Sequence, residues 1–317
     1  MREACRGPAS RFRAGRLSEP MKLGGRPHEM ERSSCSRVTG PGAGVGRGRY
    51  ALVSYGMATP RRNAHRVAHS RGDTTMTIWI GRIEPSMWFE GAWWEEILPE
   101  DVRLAVLSLG VRRLREEDLI KAHEQILEKV EQLDAEGVDV INVGGSPVVT
   151  LYGKAGHERL IEEIAARTSR PFVTALQAEV EAIRTVSSGD RILIASPYPV
   201  GQTEKRVTVL AEEGMTVLAH DSLDIERNRE IAVLDPAVVA RQAISLAQAN
   251  PSGDVIYMPC GSFPVTSVID EIESVTGIPV VTCVQAQVHA TLTRAGFGRP
   301  IEGYGRLLRE MGEAVLA

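Results

Sequence analysis

Between residues 76 and 317 the chain alternates short apolar runs with longer amphipathic stretches. Several of the short runs are almost continuously apolar, which is typical of parallel strands that are covered on both faces. This alternation predicts an α/β fold with right-handed crossovers. The predicted strands are 77–83, 104–109, 138–143, 171–175, 191–195, 215–219, 254–258 and 279–283. The predicted helices are 116–136, 157–167, 176–186, 203–213, 236–249, 265–275 and 285–295.

An internal repeat divides this region into two similar halves. Residues 161–182 align with residues 269–290 at a constant offset, and half of the 22 aligned positions are identical. A matching strand and turn lie upstream of each copy. We therefore predict two pseudo-symmetric, Rossmann-like parallel-sheet halves with the active site in the cleft between them, because such folds bind ligands beyond the carboxyl ends of their strands. The predicted boundaries are 76–190 and 191–290, with 291–317 packing back onto the first half.

Residues 1–75 differ from the rest in charge. They carry 15 Lys and Arg against 5 Asp and Glu, whereas the remainder carries 22 against 36. Glycine-rich stretches without apolar periodicity cannot bury enough surface to offset chain entropy, so we expect a disordered, dispensable basic arm. A nucleic-acid tail, a transit peptide and non-native upstream sequence are the three interpretations. The third is preferred, because the ordered pattern begins directly after Met76.

The overall composition excludes several classes of protein. With 43% hydrophobic, 25% charged and 5% aromatic residues, the chain is neither collagen-like, coiled-coil nor wholly disordered. No apolar run approaches the length of a membrane span, so we expect no membrane partner. Four cysteines are too few for a disulfide scaffold and lack zinc-ligand spacing, which favours a reducing cytoplasm and no metal. The acidic body argues against a nucleic-acid partner.

The second of the two repeated turns carries the strongest candidate for chemistry, Cys260. It lies just past a buried strand and before a helix predicted to begin near Val265, where free amides favour anions and lower the pKa of a thiol. Gly261 lets the backbone approach a ligand closely, and Ser262 adds a hydroxyl. The alternative for any cysteine is a small buried hydrophobic residue. We assign that structural role to Cys283, which lies inside a predicted strand.

The first turn, Gly144-Gly145-Ser146, has glycine where the second turn has its cysteine. It can supply backbone N–H groups and a hydroxyl to a ligand, but no nucleophile. The apolar loop that follows can wall a hydrophobic pocket with Val148, Val149 and Leu151.

Three further residues are candidates for supporting roles. Tyr198 follows the first strand of the second half, where its hydroxyl can bind a carboxylate or its ring can simply pack. Gln177 and Gln285 are paired by the repeat. They either brace the two turns or pack at the start of their helices.

These features resemble the aspartate/glutamate racemase superfamily. The resemblance rests on the duplicated halves, on Cys260 in the second turn, on Pro-Tyr at 197–198 and on Gly-Tyr-Gly at 303–305. Within the superfamily, the chain is similar to the branch that contains arylmalonate decarboxylase and maleate cis-trans isomerase. The resemblance covers about residues 76–317 and leaves out the basic arm.

The resemblance implies which cysteine pattern applies. Racemases and maleate isomerase use one cysteine from each half, whereas arylmalonate decarboxylase keeps only the second-half cysteine, as the proton donor. Gly144-Gly145 and Cys260 fit the one-cysteine pattern. The Thr-Ser pair of the decarboxylase is matched here only at Ser146.

By this resemblance the chain is expected to be a cofactor-independent carbon–carbon lyase that acts on an aryl- or alkylmalonate. One carboxylate of this small dicarboxylate is expected to bind between the two turns and at Tyr198, where donors stabilise an enediolate as the other carboxylate leaves. Cys260 then protonates one face. The alternatives are a maleate isomerase or an Asp/Glu-type racemase, and a non-catalytic diacid-binding protein. A homo-oligomer is compatible with the sequence.

Overall fold

The computed structural model describes residues 77–86 and 90–312; the predicted arm, 1–75, lies outside the described residues. The strands are β1 (Ile78–Glu84), β2 (Val102–Ser108), β3 (Val140–Val143), β4 (Phe172–Thr174), β5 (Arg191–Ser196), β6 (Thr216–Ser222), β7 (Val255–Met258) and β8 (Val280–Thr282). The helices are α1 (Glu90–Ile97), α2 (Glu116–His123), α3 (Ile126–Glu136), α4 (Ser146–Val149), α5 (Gly153–Ala165), α6 (Ala175–Val186), α7 (Val200–Glu212), α8 (Asn228–Ile231), α9 (Pro236–Ala249), α10 (Ile269–Thr276), α11 (Cys283–Arg294) and α12 (Gly305–Arg309).

The strands form two parallel sheets of four strands with the same order. The first sheet runs β2-β1-β3-β4 and the second runs β6-β5-β7-β8. The register also repeats, because Val143 pairs with Thr174 in the first half and Met258 pairs with Thr282 in the second. The predicted α/β class and the pair of similar parallel-sheet halves are confirmed.

Burial explains why the sequence pattern found the strands. Every residue of β3 and β7 is buried, since helices cover both faces of these inner strands. The edge strands β2 and β6 instead alternate between buried or half-buried positions and exposed ones. The C-terminal residues Leu308 and Met311 pack with Ile80 and Trp94 in one apolar cluster, to which α11 also contributes. No helix within the described residues is long and apolar enough to cross a lipid bilayer.

Helices α6 and α11 begin with identical capping boxes. Thr174 Oγ1 accepts a hydrogen bond from Gln177 N at 3.3 Å, and Gln177 Oε1 accepts one from Thr174 N at 3.0 Å. Thr282 and Gln285 make the same two bonds at 3.1 and 3.2 Å. The two glutamines therefore satisfy backbone groups at the helix starts, and this is the packing alternative of the sequence analysis.

We expect Gln285→Ala to destabilise the protein more than Gln177→Ala. Gln285 is fully buried and also donates from Nε2 to the carbonyl of Tyr304, whereas Gln177 is half-buried. Loss of Gln285 leaves buried groups unpaired and costs ~1–3 kcal/mol, against ~1 kcal/mol for loss of a cap. Urea denaturation of the two variants measures the difference. Equal losses would contradict this assignment.

Three predicted boundaries are wrong. Segment 116–136 is two helices, α2 and α3. At the break between them, the Gln125 side chain donates a hydrogen bond to the Lys121 carbonyl at 2.8 Å, and the Gln125 backbone amide donates to the Ala122 carbonyl instead. The helix expected near Val265 is a 3₁₀ turn at Thr266–Val268 followed by α10. Cys283 is the first residue of α11 and does not lie in a strand. The short helices α1, α4, α8 and α12 were not predicted, since four to eight residues show little periodicity.

Candidate active site

A cavity, here called the site cavity, lies where the carboxyl ends of the strands of both halves meet. Its wall takes residues from the segments that follow β1, β3, β5, β7 and β8, as expected for parallel sheets. The first half contributes Pro85, Val111, Leu114, Leu119, Gly145, Ser146, Pro147 and Val148. The second half contributes Tyr198, Asn228, Cys260, Gly261 and Cys283.

Cys260 has an unusual backbone conformation. Its φ is +92°, and its counterpart across the repeat, counted from the ends of β3 and β7, is Gly145 with φ +86°. Glycine adopts this region freely, but a cysteine there costs about 1–3 kcal/mol. Cys260 is only 5% exposed, so the surrounding structure holds the strained residue in place. Strain of this kind clusters at functional sites.

Three residues on the wall of the site cavity have backbone amides with no hydrogen-bond partner in the described part of the chain. The N–H groups of Gly145, Ser146 and Gly261 make no hydrogen bond with any residue in the described part of the chain. All three residues are buried. Since buried amides are almost always paired, these three point to a hydrogen-bond acceptor that the cavity is built to receive. They come from both repeated turns.

Tyr198 lies on the same wall, at the end of β5. Its side chain is buried, which raises its pKa well above the ordinary value, and the nearby thiols of Cys260 and Cys283 raise it further. The phenol therefore keeps its proton and serves as a hydrogen-bond donor.

The apolar part of the wall differs from the prediction. Val148 lines the site cavity, but Val149 is buried in the core next to it. Leu151 lines a larger neighbouring cavity, here called the outer cavity. Segment 109–119, whose contribution the sequence analysis missed, adds Val111, Leu114 and Leu119 to the wall of the site cavity. That segment meets the second half where Asn228 Nδ2 donates to the Val111 carbonyl at 3.5 Å.

Two residues predicted to bind substrate do not reach the wall of the site cavity. Gly144 lies below it, with its amide donating to the Ile83 carbonyl at 2.9 Å. Ser262 is completely buried and is also absent from the wall. Gly145, Ser146, Tyr198, Cys260 and Gly261 are brought together there as expected.

Cys283 brings a second thiol to the wall, which corrects its assignment as a strand residue. Its Sγ accepts a hydrogen bond from Gln287 Nε2 at 2.9 Å. Gln287 Oε1 in turn accepts one from Arg82 Nη1 at 3.2 Å, so this sulfur is held by a buried network. Both thiols of the wall belong to the second half. The first half supplies none among its described residues.

Metal ligation has no candidate in the described ranges 77–86 and 90–312. No group of three or more His, Cys, Asp or Glu side chains there is arranged to hold an ion.

Comparison with known proteins places this chain and its fold in a family. Arylmalonate decarboxylase of Bordetella bronchiseptica is 26% identical over 213 residues, which are 66% of this chain and 88% of that protein. Maleate isomerase of Pseudomonas putida is 26% identical over 220 residues, 68% of this chain and 87% of that protein. The solved structure of unliganded arylmalonate decarboxylase matches with a TM-score of 0.64 at 26% identity, covering 74% of this chain and 100% of that one.

Maleate isomerase from Pseudomonas putida S16 has the same fold, with a TM-score of 0.66 at 22% identity over 73% of this chain and 98% of that one. A family model described as arylmalonate decarboxylase matches residues 93–308, more than half of the chain. These matches confirm the resemblance drawn from the two repeated turns. The chain belongs to the arylmalonate decarboxylase family, in the branch of the aspartate/glutamate racemase superfamily that also holds maleate isomerase.

Proposed function

We propose that the protein is a cofactor-independent decarboxylase of malonate-type diacids with an aryl or alkyl side chain. The observation that carries this proposal is the asymmetry of the site cavity. Three amides without a partner among the described residues belong to the two turns that line one space, and the thiols on its wall, Cys260 and Cys283, both come from the second half. This arrangement can hold a carboxylate and deliver one proton to one face of the substrate.

In the first step the amides of Gly145, Ser146 and Gly261 hold one carboxylate. As the bond to the other carboxyl carbon breaks, its electron pair passes to the α-carbon and into the held carboxylate, which becomes an enediolate. Donors that are already in place stabilise this charge without reorganising. The departing carboxylate lies against the apolar side chains of segment 109–119, where neutral CO₂ is favoured over an anion.

In the second step Cys260 gives its thiol proton to the α-carbon of the enediolate, and water restores the thiol. The reaction needs no electron sink beyond the held carboxylate, so no organic cofactor is required. A donor on one face gives an optically enriched product when the α-carbon is a stereocentre.

Product analysis tests the proposal. The protein is incubated with phenylmalonate, methylphenylmalonate and maleate, while CO₂, the monoacid and fumarate are followed. We expect CO₂ and monoacid from the malonates and no fumarate from maleate. Cis–trans conversion alone would show an isomerase, and racemisation without loss of mass would show a racemase. Tight binding of malonates without any turnover would show a non-catalytic diacid-binding protein.

A further inference from the structure

A buried ion pair joins the two halves beside the site cavity. Glu179 of α6 is completely buried, Arg206 of α7 is 3% exposed, and 3.7 Å separates Arg206 Nη1 from Glu179 Oε2. Two charges in the interior lose their hydration, and a hydrophobic pair of similar volume is often as stable. Fold stability alone therefore gives no reason for this pair. Its position next to Ser146 provides one.

The hydroxyl of Ser146 donates its hydrogen bond to Glu179 Oε1. A serine hydroxyl has a single hydrogen, so Ser146 has no hydrogen left to donate to a ligand. Of the two donors of Ser146, only its backbone amide has no hydrogen-bond partner among the described residues. The sequence analysis expected the hydroxyl to help hold the carboxylate, and this geometry assigns that task to the amides.

The ion pair is also poorly saturated with hydrogen bonds. Glu179 Oε2 and Arg206 Nε and Nη1 are buried and make no hydrogen bond of ordinary geometry with any described residue. Desolvation lowers the pKa of Arg206, but Tyr257 and Glu179 raise it overall, so the guanidinium stays charged. The charged guanidinium of Arg206, which belongs to the second half, thus orients the Glu179 carboxylate of the first half by electrostatic attraction.

We propose that Glu179, oriented by Arg206, is a positioning residue for the reaction. It acts through Ser146: by holding the hydroxyl it fixes the first turn, so that the unpaired amides of Gly145 and Ser146 point at the place where the enediolate forms. This inference rests on the proposed function. It deepens that function by connecting the two halves through a residue that does not touch the substrate.

The test is a double-mutant cycle of Glu179→Gln and Ser146→Ala on the full chain with phenylmalonate. Because misplacing bound groups by about 1 Å costs ~100-fold, we expect Glu179→Gln to lower kcat by about 10- to 100-fold. KM should change by less than about threefold, since the loss is felt in the transition state. In the Ser146→Ala background, Glu179→Gln should have almost no further effect on kcat, because residues that act as one unit are not additive.

Glu181→Gln is the matched control. Glu181 lies on the same helix and pairs with Arg294 at 2.6 Å, but its side chain is 44% exposed. We expect its kcat to stay within about twofold of the parent, as exposed ion pairs contribute little. Arg206→Lys keeps the charge but not the planar fork, and should show an intermediate loss of kcat.

Additive effects of the two substitutions on kcat would overturn the proposal, and so would an unchanged kcat in Glu179→Gln. If Glu179→Gln does not fold, Arg206→Lys in the parent and in the Ser146→Ala background completes the same cycle.

Failure of the parent to turn over any malonate is a different result, which overturns the proposed function. In that case the free energies of unfolding of the parent, the two single variants and the double variant are measured instead. Additive losses of unfolding free energy would show that the Ser146–Glu179 contact is absent.

Discussion

Replacing Cys260 by alanine is expected to lower kcat for malonate decarboxylation by about 10²- to 10⁴-fold, the range for loss of a positioned general acid. The substitution removes only the sulfur, and the amides that hold the carboxylate stay in place. KM should therefore change little, and product that still forms should have lost its optical enrichment. Steady-state kinetics and chiral chromatography of the monoacid measure both effects.

Cys283→Ala is the matched control for this prediction. It deletes the same atom from the same half and the same cavity wall. Its sulfur accepts a hydrogen bond from Gln287, which in turn is held by Arg82, so the thiol is part of a fixed network. We expect kcat within about fivefold of the parent and an unchanged product enantiomer. If Cys283→Ala instead gave the larger loss, the proton donor would be Cys283, and the mechanism would have to be redrawn around α11.

The fold was accessible from sequence because its signals are local. Strand β7 is an unbroken apolar run, and β3 is interrupted only by Asn142. The repeat shows that the two halves share one topology. The strand pattern also located Gly145, Cys260 and Tyr198, since each lies two residues past the end of a strand that the pattern identifies. A residue at the carboxyl end of a parallel strand is placed by chain connectivity alone.

The remaining wall residues could not be found in this way. Leu114 lies in a connecting segment and Asn228 begins the four-residue helix α8. The two come together only because the halves pack against each other, and their neighbours in sequence show no periodicity. Cys283 was misplaced by a single residue, since a helix that directly follows a strand leaves no loop to mark the boundary. Such positions depend on tertiary contacts that a hydrophobic pattern does not encode.

The buried charges were missed for a different reason. Glu179 and Arg206 each sit in an amphipathic helix, where a charged residue is ordinarily read as part of the solvated face. Here the two helices lie on opposite halves, and their charges face each other across the interior. Glu181, only two residues away, is partly exposed to solvent and pairs with Arg294. Nothing in the sequence distinguishes the two glutamates before the halves are brought together.

Gly145→Ala is expected to damage both stability and activity, through the backbone of the first turn. A Cβ at this position would lie 2.7 Å from Pro85 Cβ, which is closer than such atoms approach, and φ is +86°. Strained backbone of this kind costs about 1–3 kcal/mol, and relief of the overlap must move the turn. Since the amides of Gly145 and Ser146 are the proposed carboxylate donors, a shift of about 1 Å should lower kcat/KM by ~100-fold.

Gly277→Ala is the control that separates the cost of a left-handed backbone from the cost of the overlap with Pro85. Gly277 also has a left-handed backbone, with φ +68°, but it caps α10 on the surface and a Cβ there would meet no atom within 4 Å. It should lose about 1 kcal/mol of unfolding free energy and keep full activity. Cys260 shows that a side chain at φ +92° is tolerated in the equivalent turn, so the contact with Pro85 is the decisive difference for Gly145. Urea denaturation and phenylmalonate kinetics on both variants decide the matter: if Gly145→Ala resembles Gly277→Ala in both measurements, the turn does not hold the substrate.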